Sequence, residues 1–108
     1  MQKNKAETYV GFCVRAGKLT CGFHAVARQK KDVYLLLLCG TASENSQKLA
    51  LKLRDRFGCE LLLSAKKPLE EITGKANCKF AAVRHRELAK AILSASDDTF
   101  TTYSGGNR

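Results

Sequence analysis

Long hydrophobic runs are missing from this chain of 108 residues. The longest, Val33 to Cys39, reads VYLLLLC, far short of the ~20 residues that a membrane-spanning helix needs. The start, MQKNKAETYV, has no apolar segment of the secretory kind, so a cytoplasmic protein without a membrane partner is expected. Acidic residues are scarce. Ten Asp and Glu face nineteen Lys and Arg, a formal charge of +9, which favours a polyanionic partner over an acidic small molecule. The five cysteines contain no CxxC pair, and after the first two they fall 18 to 20 residues apart; a disulfide framework is not expected, and the thiols at strand edges read as small hydrophobes. Cys21 and His24 stand three apart but lack a second half-site, so no metal is expected.

Catalytic motifs are absent as well. There is no GxSxG elbow, no Walker loop and no HExxH, and His24 and His85 have no carboxylate at motif spacing. Glu70 and Glu71 are adjacent and point apart on a helix. An enzyme and a cofactor are therefore not expected.

What is present is a regular succession of elements. Ala6 to Ala16 carries Tyr9, Phe12 and Cys13 at helical spacing, with Gly17 as a left-handed stop. Lys18 to Cys21 reads as a very short strand, and Gly22 to Lys30 as an amphipathic helix with Phe23, Val26 and Ala27 inward and Lys30 and Lys31 at its negative end. Val33 to Cys39 is continuously apolar, the pattern of a strand covered on both faces. Ser43 is a good N-cap for a helix with Leu49, Ala50, Leu53 and Phe57 on one face, ended by Gly58. Cys59 to Leu63 is the next strand, Pro68 opens a short helix through Leu69 and Ile72 that Gly74 closes, Cys78 to Val83 is a further strand, and Arg86 to Leu93 a last helix.

This alternation predicts an α/β class protein, a three-layer α/β/α sandwich. One domain over residues 1–93 is expected. From Ser94 the composition turns to Ser, Thr, Asp and Gly, and residues 94–108 read as a mobile polar tail.

Three segments then carry a resemblance: GFCVRAGKLTCG (Gly11 to Gly22), VYLLLLCGTASEN (Val33 to Asn45) and AKKPLEEITGK (Ala65 to Lys75). In order and spacing they resemble the bacterial branch of the L-seven-Ae ribosomal protein family, which includes the L-thirty-e proteins and kink-turn RNA binders. The resemblance covers residues 9–93. It implies a four-stranded mixed sheet of the L-thirty-e type, RNA as partner, association with the ribosome, and an RNA surface at the turn into the second helix. There the family has a glycine, matched by Gly22, which lets a backbone come close to phosphate or base. Lys18 and Arg28 would then contact phosphates and His24 a base, with Lys66 and Lys67 adding cations from the loop before the short helix.

Two departures accompany the match. His24 and Ala25 stand where the family has an Asn-Glu pair, and Ala25 cannot accept a hydrogen bond from guanine. The later family motif Leu-Gly-x-Ala-x-Gly reads Leu69, Glu70, Glu71, Ile72, Thr73, Gly74. A ribosome-associated, kink-turn-like RNA binder is the leading expectation. The alternative is a protein-interaction module of the same fold that no longer binds kink-turns specifically.

Overall fold

The computed structural model describes residues 5–95 and 98–103. The elements are α1 (Lys5–Arg15), β1 (Leu19–Cys21), α2 (Phe23–Ala27), β2 (Leu35–Leu38), α3 (Glu44–Phe57), β3 (Glu60–Ser64), α4 (Leu69–Thr73), β4 (Phe80–Val83), α5 (Arg86–Ser94) and β5 (Phe100–Thr102). They build one mixed sheet in the order β1-β4-β2-β3-β5, in which β2 and β3 run parallel and the other neighbours antiparallel.

Helices cover both faces of the sheet, as the uninterrupted leucines of β2 require. Leu35 and Leu37 pack with Ala6, Val10 and Cys13 of α1, Leu69 and Ile72 of α4, and Ala89 and Ile92 of α5. Leu36 and Leu38 point the other way, toward Val26 of α2 and Ala50 and Leu53 of α3. All four leucines are fully buried. Burying each side chain stabilises the fold by ~1.5–3 kcal/mol, so β2 is the strand on which both layers depend.

The sheet has five strands, not four. The fifth lies in the segment expected to be a mobile tail: Phe100, Thr101 and Thr102 pair with Ser64, Leu63 and Leu62. β-branched and aromatic residues favour a strand, and without β5 the inter-strand hydrogen-bonding groups of β3 would form an open edge. Tyr103 anchors its end, with its amide donating to the Leu61 carbonyl at 2.8 Å and its hydroxyl to Gln47 Oε1 at 3.0 Å.

Three local expectations change in detail. α2 stops at Ala27 rather than running to Lys30, because the Arg56 guanidinium takes the carbonyls of Ala27 and Gln29 at 2.7 and 2.6 Å and Asp32 adopts a positive φ of 66°. Lys30 and Lys31 therefore lie beyond the helix. Leu49 does not face the sheet; Ala50 and Leu53 do, leaving Leu49 48% exposed. Pro68 sits at the N-cap, just outside α4. The cap of α3 is as expected, with Ser43 accepting from the Ser46 amide at 3.2 Å. Among the described residues no helix is long and apolar enough to cross a membrane.

Candidate nucleic-acid interface

β1 is an edge strand, and it ends at Cys21 against the start of β4. The Gly22 amide donates to the Phe80 carbonyl at 2.7 Å, and Gly22 has φ 96° and ψ 144°, a backbone region that side chains disfavour. A Cβ there would meet nothing within 4 Å. Glycine is thus required by the backbone path, while the space over it is open to a ligand. Phe23 stacks on the buried Phe80 ring, with centroids 4.2 Å apart and planes 7° from parallel, and this contact fixes where α2 begins. His24 follows in the first turn and is exposed.

The other side of this turn is the connection between α4 and β4. Gly74 ends α4 in a left-handed conformation, the Lys75 amide donates to Thr73 Oγ1 at 3.2 Å, and the Cys78 amide returns to the Lys75 carbonyl at 3.3 Å. Asn77 makes this tight return with a φ of 62°, a conformation asparagine tolerates better than most residues. Lys75, Ala76 and Asn77 are exposed. Among the described residues Lys75 forms no salt bridge, whereas Lys79 is paired with Glu70 at 3.2 Å.

A thiol pair joins the two sides. Cys78 Sγ lies 2.8 Å from Cys21 Sγ. The Cys78 thiol is lowered to about 7, first by its hydrogen bond with Cys21, against the opposing effect of burial, with Thr73 and the Lys75 charge adding to the lowering. Cys21 is raised by the same contact and by burial. Sequence spacing gives no hint of Lys75, Asn77 or this pair as parts of one site, since strand pairing alone brings positions 57 residues apart together.

The sequence-derived residues are dispersed around this point. Gly22 and His24 are together. Arg28 caps the C-terminus of α2, about 9 Å along the helix from Gly22. Lys18 stands at the opposite end of β1, ~13 Å away at the strand rise, where its carbonyl accepts from the Arg84 amide. Lys66 and Lys67 share the Gly22 end of the sheet, but β4 and β2 lie between, a separation of roughly 14 Å. Their charges are engaged: Lys67 pairs with Glu7 at 3.2 Å and Lys66 with Asp98 at 3.4 Å. These two lysines therefore stand apart from the Gly22 turn. His85 has its own task, accepting from the Leu88 amide at 3.1 Å as the cap of α5.

Beyond His24 the surface continues into a groove of about 390 Å³ between α2 and α3, floored by Phe23, Ala27, Leu49 and Leu53 and edged by Lys52 and Arg56. Among the described residues no group of three or more His, Cys, Asp or Glu side chains could hold a metal.

No protein-family model matches the chain, and no curated protein does. Among solved structures it is similar to a protein of unknown function from Bacillus halodurans C, at a TM-score of 0.72 and 18% identity, over 86% of this chain and 97% of that one. The likeness is one of fold. It extends over nearly the whole of that chain and assigns no activity to this one.

Proposed function

We propose that this chain is a cytoplasmic, ribosome-associated binder of structured RNA, of the L-seven-Ae and L-thirty-e type, and that RNA docks where the Gly22 turn meets the Lys75–Lys79 loop. The observation that carries this reading is that juxtaposition. A glycine with open space above it, an exposed imidazole and a lysine from a distant segment that forms no salt bridge among the described residues converge at one end of the sheet, in a chain of net charge +9. Each element has a distinct part. Gly22 admits a backbone close to the protein surface, His24 offers a flat ring to an unstacked base, and Lys75 and Arg28 neutralise phosphates on either side. Specificity rests on bent or unpaired RNA, because the deep groove of an A-form helix does not admit side chains. Lys18, Lys66 and Lys67 act at longer range, through the general field.

The test is binding to a kink-turn RNA, a plain duplex and a single strand of equal length, each at two salt concentrations. Preference for the kink-turn that persists at high salt is expected. Lys75→Ala should lower affinity and reduce the log-log salt slope by about 0.7–0.9, the loss of one phosphate contact. Equal, steeply salt-dependent binding to all three RNAs would reduce the site to a basic surface, and an unchanged slope in Lys75→Ala would remove that residue from it.

One observation favours a second reading, a protein-interaction module. The α2–α3 groove exposes Leu49 and combines an apolar floor with basic edges, which suits an amphipathic acidic segment. Absence of RNA binding together with sensitivity of a protein complex to Leu49→Asp would support it.

A further inference from the structure

The contact between Cys21 and Cys78 plays no part in the RNA reading and stands independently of it. All five cysteines are free thiols, yet these two are far closer than packing requires. Their sulfurs are 2.8 Å apart, so closure to a disulfide bond of ~2.05 Å needs a movement of less than about 1 Å. The neighbouring backbone is already held in register, by the Gly22 to Phe80 hydrogen bond and by pairing of Cys21 with Ala81. The sulfurs differ in access: Cys21 is half-buried, whereas Cys78 is 1% exposed.

We propose that Cys21 and Cys78 form a redox-active dithiol that closes to a disulfide on reaction with a peroxide and locks the Gly22 turn to the α4–β4 connection. The accessible Cys21 is the attacking sulfur and the buried Cys78 resolves. Cys21, as thiolate, attacks one peroxide oxygen; the O–O bond breaks, a sulfenic acid forms on Cys21, and the departing hydroxide leaves as water with a proton. Cys78, as thiolate, attacks the Cys21 sulfur; the S–S bond forms and the sulfenic oxygen departs as a second water. Two thiols are oxidised by two electrons in total, one hydrogen peroxide is reduced, and two waters are released. An exogenous dithiol reverses the step by thiol–disulfide exchange. The single thiolate of the pair is favoured on Cys78, which the contact with Cys21 and the Lys75 charge lower, while the same contact and burial raise Cys21; a proton passing from Cys21 to Cys78 across the 2.8 Å contact supplies the attacking thiolate.

The experiment treats the reduced full-length chain with stoichiometric hydrogen peroxide and quenches with an alkylating agent, followed by intact-mass and peptide analysis. The expected product is a monomer about 2 Da lighter in which peptides containing Cys21 and Cys78 are linked, while Cys13, Cys39 and Cys59 remain alkylatable. Dithiothreitol should restore all five thiols. Loss of the pair should proceed at least ~10-fold faster than oxidation of the other three. Cys78→Ser should leave Cys21 as a sulfenic acid that dimedone captures, and Cys21→Ser should be inert at the buried Cys78. Cys21→Ser alters the half-buried partner, so it keeps the roles testable where Cys78→Ser fails to fold. A linkage to any other cysteine, an intermolecular dimer, or over-oxidation of Cys21 without a link in the wild-type chain would overturn the proposal.

Discussion

Gly40→Ala should be among the most damaging single-methyl additions to this protein, and the structure gives the reason in one distance. A Cβ at Gly40 would lie 2.1 Å from the Ser64 backbone oxygen, where 3.0 Å is already closer than real Cβ atoms come. The obstacle is main chain, so no rotamer change relieves it. Gly40 follows β2, whose parallel pairing with β3 runs through four register pairs up to Leu38 with Leu63, and both strands are clamped between helices. Separating them by about 1 Å strains packing on both faces, a cost of ~1–3 kcal/mol by analogy with overpacked cores. The Gly40 amide also donates to Ser64 Oγ at 2.9 Å, and Ser64 is 4% exposed, so losing that bond adds roughly 1 kcal/mol. The sum is about 2–4 kcal/mol. Urea unfolding followed by far-ultraviolet circular dichroism reads this as a midpoint lowered by about 1 M or more. Adding Ser64→Ala should not rescue the variant, because the clash is with the carbonyl. A Gly40→Ala midpoint within the error of wild type would refute the argument and the close strand approach beneath it.

Removal of every residue after Ala95 deletes β5, including the hydrogen bonds from Ala65 to Thr99 and from Tyr103 to Leu61, both 2.8 Å. Stability should fall by roughly 2–3 kcal/mol from these bonds and the ladder, with self-association through the uncovered β3 edge visible by sedimentation. Stability should also fall between pH 9 and 11. Burial raises the Cys13 thiol from 9.0 to about 11; above pH 9 the unfolded chain releases this proton while the folded chain retains it, so rising pH favours unfolding. For the fully buried Cys13 the loss is on the order of 2 kcal/mol, and Cys13→Ala should flatten that part of the unfolding free energy against pH. The fourth expectation, the reduced salt slope of Lys75→Ala, separates a specific contact from the general field of the +9 chain.

Elements whose signals are local are legible in the sequence. The four leucines of β2 announced a doubly covered strand, and Ser43 and Gly58 marked both ends of α3. The features that changed depend on distant partners. α2 is short where a guanidinium from α3 occupies the carbonyls of Ala27 and Gln29, which no property of Gly22 to Lys30 encodes. β5 was hidden by its neighbours: FTTY is strand-like in itself, but it lies within a polar segment, and its reason for pairing is the open edge of β3. Leu49 fits the helical period as well as Ala50 does; the way α3 docks on the sheet leaves one exposed at the groove and makes the other a core residue.

The same division explains the candidate site. Gly22 and His24 are adjacent in sequence and stay adjacent in space, so a local reading could pair them. Lys66 and Lys67 could not be judged that way, because their role depends on strand order. With β4 and β2 intervening and carboxylates at Glu7 and Asp98 in contact, these two lysines tie the β3–α4 loop to its surroundings. Strand order also brings forward the Lys75 to Lys79 return, since β4 lies beside β1 and antiparallel to it, so whatever precedes β4 must face whatever follows β1. Lys75, Asn77 and Cys78 therefore owe their place beside Gly22 to topology rather than to motif. A ligand bound at this end of the sheet would touch two segments that the Gly22 to Phe80 hydrogen bond, the Phe23–Phe80 stacking and the thiol contact hold together. Recognition and thiol state would then act on the same few atoms.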